Sequence, residues 1–305
     1  MSAQLTILGY NSAIPTVKST PTAQFLQMCE RYFLIDCGEG TQVQLRRARV
    51  KFSKINHIFI SHLHGDHCFG LPGLVASFRL LGREQALHIY GPVGIREMME
   101  TIFRITETQR GFEVHYHELS SKQSEMIFED EKVEVWTVPL DHRIYSNGYL
   151  FKEKEKERKL NMREVSKYKE IEVCDYHNLK KGKDFILSDG YVLKNEVLTD
   201  DPEPPVSYAF CSDTRYKESI ADIVHGVDLL YHEATFLHEL KAMADKTGHS
   251  TALEAAMIAK KAEAKKLILG HFSNRYNDHS VLLNEARTIF PNTFLPTALE
   301  PVEIG

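Results

Sequence analysis

Three things are scarce in this chain of 305 residues, and each scarcity closes off a class of protein. Cysteine is the first. Cys29, Cys37, Cys68, Cys174 and Cys211 are odd in number and contain no C-x-x-C pair, which argues for reduced thiols over a disulfide frame or a cysteine-based zinc site. Long apolar runs are the second: no window reaches the roughly 20 residues that span a bilayer. A basic surplus is the third, because 37 Lys and Arg face 42 Asp and Glu for a net charge of −5. That balance excludes a surface coated in positive charge for nucleic acid, although a local basic patch remains compatible with it. The first residues, Met-Ser-Ala-Gln, lead straight into the strand-like Leu5-Thr6-Ile7-Leu8. The basic stretch and apolar core of a secretory signal are absent, so the expected location is the cytoplasm, with no membrane partner.

Apolar side chains, at 43%, are plentiful enough to bury a sizeable core in one large domain or two small ones. Periodicity predicts strands over 4–9, 21–28, 31–36 and 56–61, and helices over 41–48, 72–82 and 94–107. Further strands are expected at 85–90, 113–118, 133–138, 207–212, 228–231 and 266–270, with an Ala-rich helix over 252–264. Several of these strands end on an imidazole or carboxylate: His142, Asp213, His232 and His271. Ligands on the rim of packed strands can be held rigidly while one side stays open to substrate. Strands and helices alternating in two halves imply an α/β protein, an αββα sandwich of two mixed sheets with helices outside, in a single domain over 1–305. The stretch 151–198 breaks the pattern. It alternates charge from Lys152 to Lys159, continues through Lys167, Lys169, Lys180, Lys181 and Lys183, and reads as a solvated insertion.

Residues 61–74 read Ser-His-Leu-His-Gly-Asp-His-Cys-Phe-Gly-Leu-Pro-Gly-Leu, straight after Ile58-Phe59-Ile60. Imidazole and carboxylate suit a borderline cation such as zinc, with manganese or iron also compatible, and His62, His64, Asp66 and His67 crowded together would repel protons without one. Side chains alternate along an extended segment, so His62 and His64 can close on one ion while Asp66 and His67, beyond Gly65, face a second. Gly38-Glu39-Gly40 is not a dinucleotide fingerprint, because Val43 stands where the third glycine belongs. Thr251-x-x-Glu254 is a capping box for the helix that follows it.

The His-x-His-x-Asp-His run resembles the signature of the metallo-β-lactamase superfamily, and its continuation Gly70-Leu71-Pro72-Gly73-Leu74 resembles the tRNase Z (ribonuclease Z) family, short form. The resemblance extends to Asp141-His142-Arg143, Phe210-Cys211-Ser212-Asp213-Thr214 and Gly270-His271-Phe272-Ser273-Asn274-Arg275-Tyr276. It implies that His142 joins His62 and His64 on one of two zinc ions per subunit, that His271 joins Asp66 and His67 on the other, and that Asp213 bridges them. It also implies that Asp36 or Glu39 supports a ligand, and that His249, in Gly248-His249-Ser250-Thr251, and Glu233, in His232-Glu233-Ala234-Thr235, form a proton-transfer pair beside a catalytic Asp66.

The implied activity is removal of the 3′ trailer from precursor tRNA by attack of a metal-bridging hydroxide, leaving a 3′-hydroxyl and a 5′-phosphate. The implied assembly is a homodimer whose inserted arm, 151–198, grips tRNA through Lys152, Lys154, Lys156, Lys180 and Lys181, with Arg275 also on the substrate. Two stretches depart from the family. Thr16-Val17-Lys18-Ser19-Thr20 replaces a basic run ending Arg-Asn, and around Cys174–Gly182 only the Leu-Lys-x-Gly part of the arm motif survives. A phosphodiesterase of the same fold, acting on another RNA or on small phosphodiesters, is the alternative.

Overall fold

A computed structural model describes residues 3–16, 19–108 and 111–305. Val17 and Lys18, in the stretch where the family's Arg-Asn is replaced, lie outside the described residues. The chain divides into two compact units, one running to Lys152 and resuming over Val206–Gly305, the other spanning Glu153–Pro205.

The larger unit contains two mixed seven-stranded sheets. The first runs Pro301–Ile304, Ala3–Gly9, Ala23–Met28, Arg31–Ile35, His57–Phe59, Leu87–Pro92 and Val114–Leu119. The second runs Thr293–Phe294, Lys266–Gly270, Leu229–Glu233, Ser207–Cys211, Asn147–Glu153, Val133–Pro139 and Met126–Glu129. Each buries one face against the other, and the space between is filled largely by aromatic rings such as Phe33, Phe59, Tyr149, Phe151, Tyr208 and Phe210. Aromatic residues bury the most area per side chain, and edge-on contacts such as Phe59 to Phe151, with ring centroids 5.3 Å apart, lock the two sheets in register. On the outer face of the first sheet Leu45, Leu74, Val75 and Met99 belong to the helices Thr41–Arg47, Leu71–Leu80 and Ile95–Ile105. On the other outer face the helix Ala252–Lys261 presents Ala252, Ala255, Ala256 and Ala259, whose small side chains allow close approach to the sheet. This is the expected αββα layering.

Of the departures from the sequence reading, two bear on the metal motif and the insertion. Asn147–Glu153 is a central strand that the neighbouring charge run hides. The metal motif is not extended throughout, because Gly65–Cys68 forms a helical turn that carries Asp66 and His67.

The smaller unit has its own apolar cluster of Val165, Ile171, Leu179, Leu193 and Leu198. Its ends are tied where Lys159–Leu160 pairs with Thr199–Asp200 and Arg158 Nε donates to Thr199 Oγ1 at 2.7 Å, so the unit runs past residue 198 to Pro205. Lys180 and Lys181 are exposed, Lys154 is partly buried, and Lys156 pairs with Glu153 at 2.7 Å. Lys152 belongs to the larger unit, on the strand beside Ser207.

Far along the first sheet from the metal motif, His57 stacks on His88 at 5.1 Å and packs against Phe128. Burial, then the charges of His88, His117 and Arg83, lower its pKa to about 4, with Asp130 opposing. The unfolded chain therefore takes up this proton first as pH falls. Stability present above pH 6.5 is expected to be lost between 6.5 and 4, by about 3 kcal/mol at the limit. The check compares urea midpoints at pH 7.5 and 5 for wild type and His57→Phe. The variant should lose clearly less, and equal losses would refute this source of acid sensitivity.

Candidate metal centre

The strands Leu229–Glu233, Ser207–Cys211 and Lys266–Gly270 run parallel, and in the facing sheet His57–Phe59 is flanked by parallel neighbours. Their C-terminal ends carry Glu233, Asp213, His271 and the His62–His67 motif to one rim. Seven side chains meet there in two groups, with Asp213 of the first also facing the second. His62, His64, His142 and Asp213 place their donor atoms within 4.8 Å of one another, and Asp66, His67 and His271 do the same. The Asp213 carboxylate divides between them. Its Oδ1 lies 3.1 Å from both His67 Nε2 and His271 Nε2, and its Oδ2 lies 3.6 Å from His62 Nε2 and 3.9 Å from His142 Nε2.

The ring nitrogens facing away from the centre are tethered, which is how proteins orient imidazole ligands. His67 Nδ1 lies 2.6 Å from Asp36 Oδ2, His62 Nδ1 3.0 Å from Ser61 Oγ, His142 Nδ1 2.7 Å from the Gly248 carbonyl, and His271 Nδ1 3.0 Å from Thr235 Oγ1. Asp36 itself accepts from the Ser61 backbone and hydroxyl at 2.7 and 2.9 Å. Of the two acids considered as supports, Asp36 takes the role and Glu39 is exposed to solvent. A Cβ on Gly248 would sit 2.8 Å from His142 Nδ1, so only glycine lets this carbonyl reach the ring. Asp36, Asp213 and His271 hold φ values of +56°, +34° and +56°, left-handed conformations that cost non-glycine residues on the order of 1–3 kcal/mol each. Tertiary contacts keep all three there.

The electrostatics fit a cation. Burial by itself would raise the Asp213 carboxyl, but His271, His67 and His62 outweigh it and hold it well below the usual range. Burial opposes charge on His67, yet Asp213, Asp36 and Asp66 overcome it and drive that imidazole toward the protonated form. Three carboxylates around one buried ring attract positive charge, and nitrogen and oxygen donors of this kind suit zinc, manganese or iron.

Beside the cluster, His249 Nδ1 lies 2.9 Å from Glu233 Oε1, and Glu233 is fixed by the Thr214 amide at 2.7 Å and the Thr235 hydroxyl at 2.5 Å. Burial disfavours charge on His249, but the Glu233 carboxylate prevails and lifts its pKa to about 9. The capping box at Thr251 and Glu254 forms as well, so His249 both precedes a capped helix and meets its acid. His232 does not join the cluster. It alternates to the other face of its strand, where Nδ1 meets its neighbour's carbonyl at 2.8 Å. Arg275 lies exposed, with its guanidinium 5.4 Å from the Phe236 ring centroid. Sequence reasoning passed over Ser61 and Thr235, whose only signal is a hydroxyl next to a motif residue. It also passed over Arg143, which lies beside His142 and whose charge opposes protonation of His64 and His249.

Comparison with known proteins agrees with this geometry. A family profile described as the anti-Pycsar protein Apyc1 matches residues 3–154. Ribonuclease Z of Bacteroides thetaiotaomicron is 47% identical over 292 residues, covering 96% of this chain and 92% of that one. Ribonuclease Z of Porphyromonas gingivalis is 44% identical over 287 residues, 94% of each. Among solved structures, human tRNase Z, short form, superposes with a TM-score of 0.71 at 27% identity over 99% of both chains. The metallo-β-lactamase fold protein YhfI of Bacillus subtilis gives the same score at 19% identity, a likeness of fold alone. With relatives this similar from end to end, the chain has the metallo-β-lactamase fold and belongs to the ribonuclease Z family.

Proposed function

We propose that the chain is a zinc-dependent endoribonuclease that removes the 3′ trailer from precursor tRNA, leaving a 3′-hydroxyl on the tRNA and a 5′-phosphate on the trailer. The observation that carries this reading is the shared Asp213, which joins two ligand groups at the open rim of a ribonuclease Z family fold. His62, His64 and His142 would hold one cation, Asp66, His67 and His271 the other, and Asp213 both. Bound there, two divalent cations would lower the pKa of water and offset the negative charge that grows on the phosphoryl oxygens.

The rest is done by the chain. The Ala13 amide donates to Asp66 Oδ2 at 2.9 Å and aims that carboxylate, which orients the attacking water as well as serving as a ligand. The water oxygen bonds to phosphorus as the bond to the 3′ oxygen of the tRNA breaks. Glu233 holds His249 in its charged form, and His249 gives its proton to that departing oxygen. Arg275 and the lysines Lys152, Lys154, Lys156, Lys180 and Lys181 bind RNA backbone, and recognition rests on shape and charge, as is usual for double-stranded RNA. The enzyme works in the cytoplasm as a homodimer, one subunit's insertion presenting tRNA to the other's centre. Among the described residues no helix is long and apolar enough to cross a membrane.

The deciding experiment is cleavage of a 3′-extended precursor by the zinc-loaded protein with the product ends mapped. A cut just after the discriminator base, with the stated termini, is the expected result. No cut, with a small phosphodiester still hydrolysed, would reassign the protein as a general phosphodiesterase. Excision of the insertion is expected to lower kcat/KM for precursor tRNA on the order of 100-fold through lost backbone contacts, while a small chromogenic phosphodiester is turned over as before. Equal losses on both substrates would make the insertion a structural part of the centre.

A further inference from the structure

A cavity of about 580 Å³ opens beside the metal centre, with His142 in its wall. It lies under the loop between the strands Val133–Pro139 and Asn147–Glu153, and none of the roles above uses it. Lys122, Arg143 and Lys217 also line it. The only carboxylate in the wall, Asp141, is engaged by Arg215 at 3.2 Å. Lys217 Nζ donates to the Pro139 carbonyl at 2.7 Å, and among the described residues no carboxylate lies within ion-pair distance of any of these three cations. Some exposed cations elsewhere in this acidic chain are paired, as in Lys261 with Glu218 and Lys265 with Asp228. Three cations converging on one concavity, with Lys217 half-buried among them, create a local positive field that draws an anion. Burial lowers the Lys217 pKa against the pull of Asp141, the mark of a charge short of partners. One neutral donor is also unused. The Ser146 hydroxyl, on a residue only 4% exposed in the same wall, has no hydrogen-bond partner among the described residues.

We propose that this cavity is a second phosphate subsite, which takes a backbone phosphate and its sugar from the RNA strand close to the phosphate that is cut. The proposal rests on the endoribonuclease reading and deepens it. Lys122 and Arg143 supply charge at the mouth, Lys217 and Ser146 supply donors within, and His142 ties the subsite to the metal centre, so the strand is held at two points across the scissile bond. Two fixed points convert a flexible strand into one aligned for attack. The phosphate can come from the trailer or from the tRNA body, and the same chemistry serves both.

The test is single-turnover cleavage of a 3′-extended acceptor-stem hairpin, with neutral methylphosphonates placed one at a time at the three phosphates on either side of the cut. The wild type is compared with Lys122→Glu, Lys217→Gln and the matched charge reversal Lys260→Glu, which lies outside the cavity wall. Lys122→Glu and Lys217→Gln should each raise the half-saturating RNA concentration about 10-fold, and the dependence of log affinity on log salt should flatten by about 0.7 per cation removed. A methylphosphonate at one position should weaken the wild type by a similar factor and leave those two variants unaffected. The side on which it falls names trailer or body. Equal effects of Lys260→Glu, or the absence of any position to which the variants are blind, would overturn the subsite alone. An uncut parent hairpin would overturn the endoribonuclease reading and the subsite with it.

Discussion

Asp213→Ala is expected to remove bound metal and activity together. Its two oxygens face both ligand groups, with Oδ1 on the His67 and His271 side and Oδ2 on the His62 and His142 side. Without it, two cations would have no shared anion to offset their repulsion, and each would lose a charged ligand. Removing one partner from a buried charge cluster costs on the order of 3–5 kcal/mol, so binding at both positions should weaken by about 10²–10⁴-fold, with cleavage falling at least as far. The measurement is metal per chain by mass spectrometry after gentle purification, beside precursor cleavage at saturating zinc. Wild type should carry about two ions per chain on the two-metal reading. A variant that retains two ions and near-normal cleavage would refute the shared role, and circular dichroism separates loss of metal from loss of fold. Asp213→Asn keeps the volume and removes the charge, so it should share the defect if charge is what matters.

His249→Ala should slow cleavage by about 10³-fold without emptying the metal centre, since general acid catalysis contributes typically 10²–10⁴-fold. The side chain touches Glu233 at 2.9 Å and lies 3.9 Å from Asp213 Oδ2, close enough to reach a leaving group but outside the seven-residue cluster. The distinguishing readout is the leaving group. A substrate whose 3′ bridging oxygen is replaced by sulfur departs as a thiolate and needs no proton, so on it wild type and His249→Ala should react at similar rates. A defect that persists on the sulfur substrate would make His249 a metal or positioning residue instead, an outcome to which its place in a third possible ligand group with Asp213 and His271 gives substance. Glu233→Gln should show a milder form of the same pattern, about 100-fold on the natural substrate, because it removes the orienting charge and leaves the imidazole.

The ligand motif was legible because its chemistry is local. His62, His64, Asp66 and His67 fall within six positions, and no packing argument is needed to see that such a group wants a cation. The layered fold was legible for a similar reason, since strand and helix periods persist even where element ends shift by a residue or two. The central strand Asn147–Glu153 was hidden because its last residues run into a charged insertion, and its burial comes from Ser207–Cys211 pairing beside it. The helical turn at Gly65–Cys68 was hidden because four residues are too few to show a period.

By itself, then, the sequence determined the sandwich and the crowding of imidazoles and carboxylates in one short motif, both properties of neighbours along the chain. Tertiary structure alone decided which acid would brace His67, choosing Asp36 over Glu39, and which face of the strand Leu229–Glu233 would meet the centre, choosing Glu233 over His232. It also decided that the Gly248 carbonyl would hold His142 across 106 positions of chain, and that three cations would line a cavity whose one acid, Asp141, is engaged by Arg215. The physical reason is common to all four. Hydrogen bonds and charge compensation depend on distances of 3–4 Å between atoms remote in sequence, and packing the two sheets sets those distances.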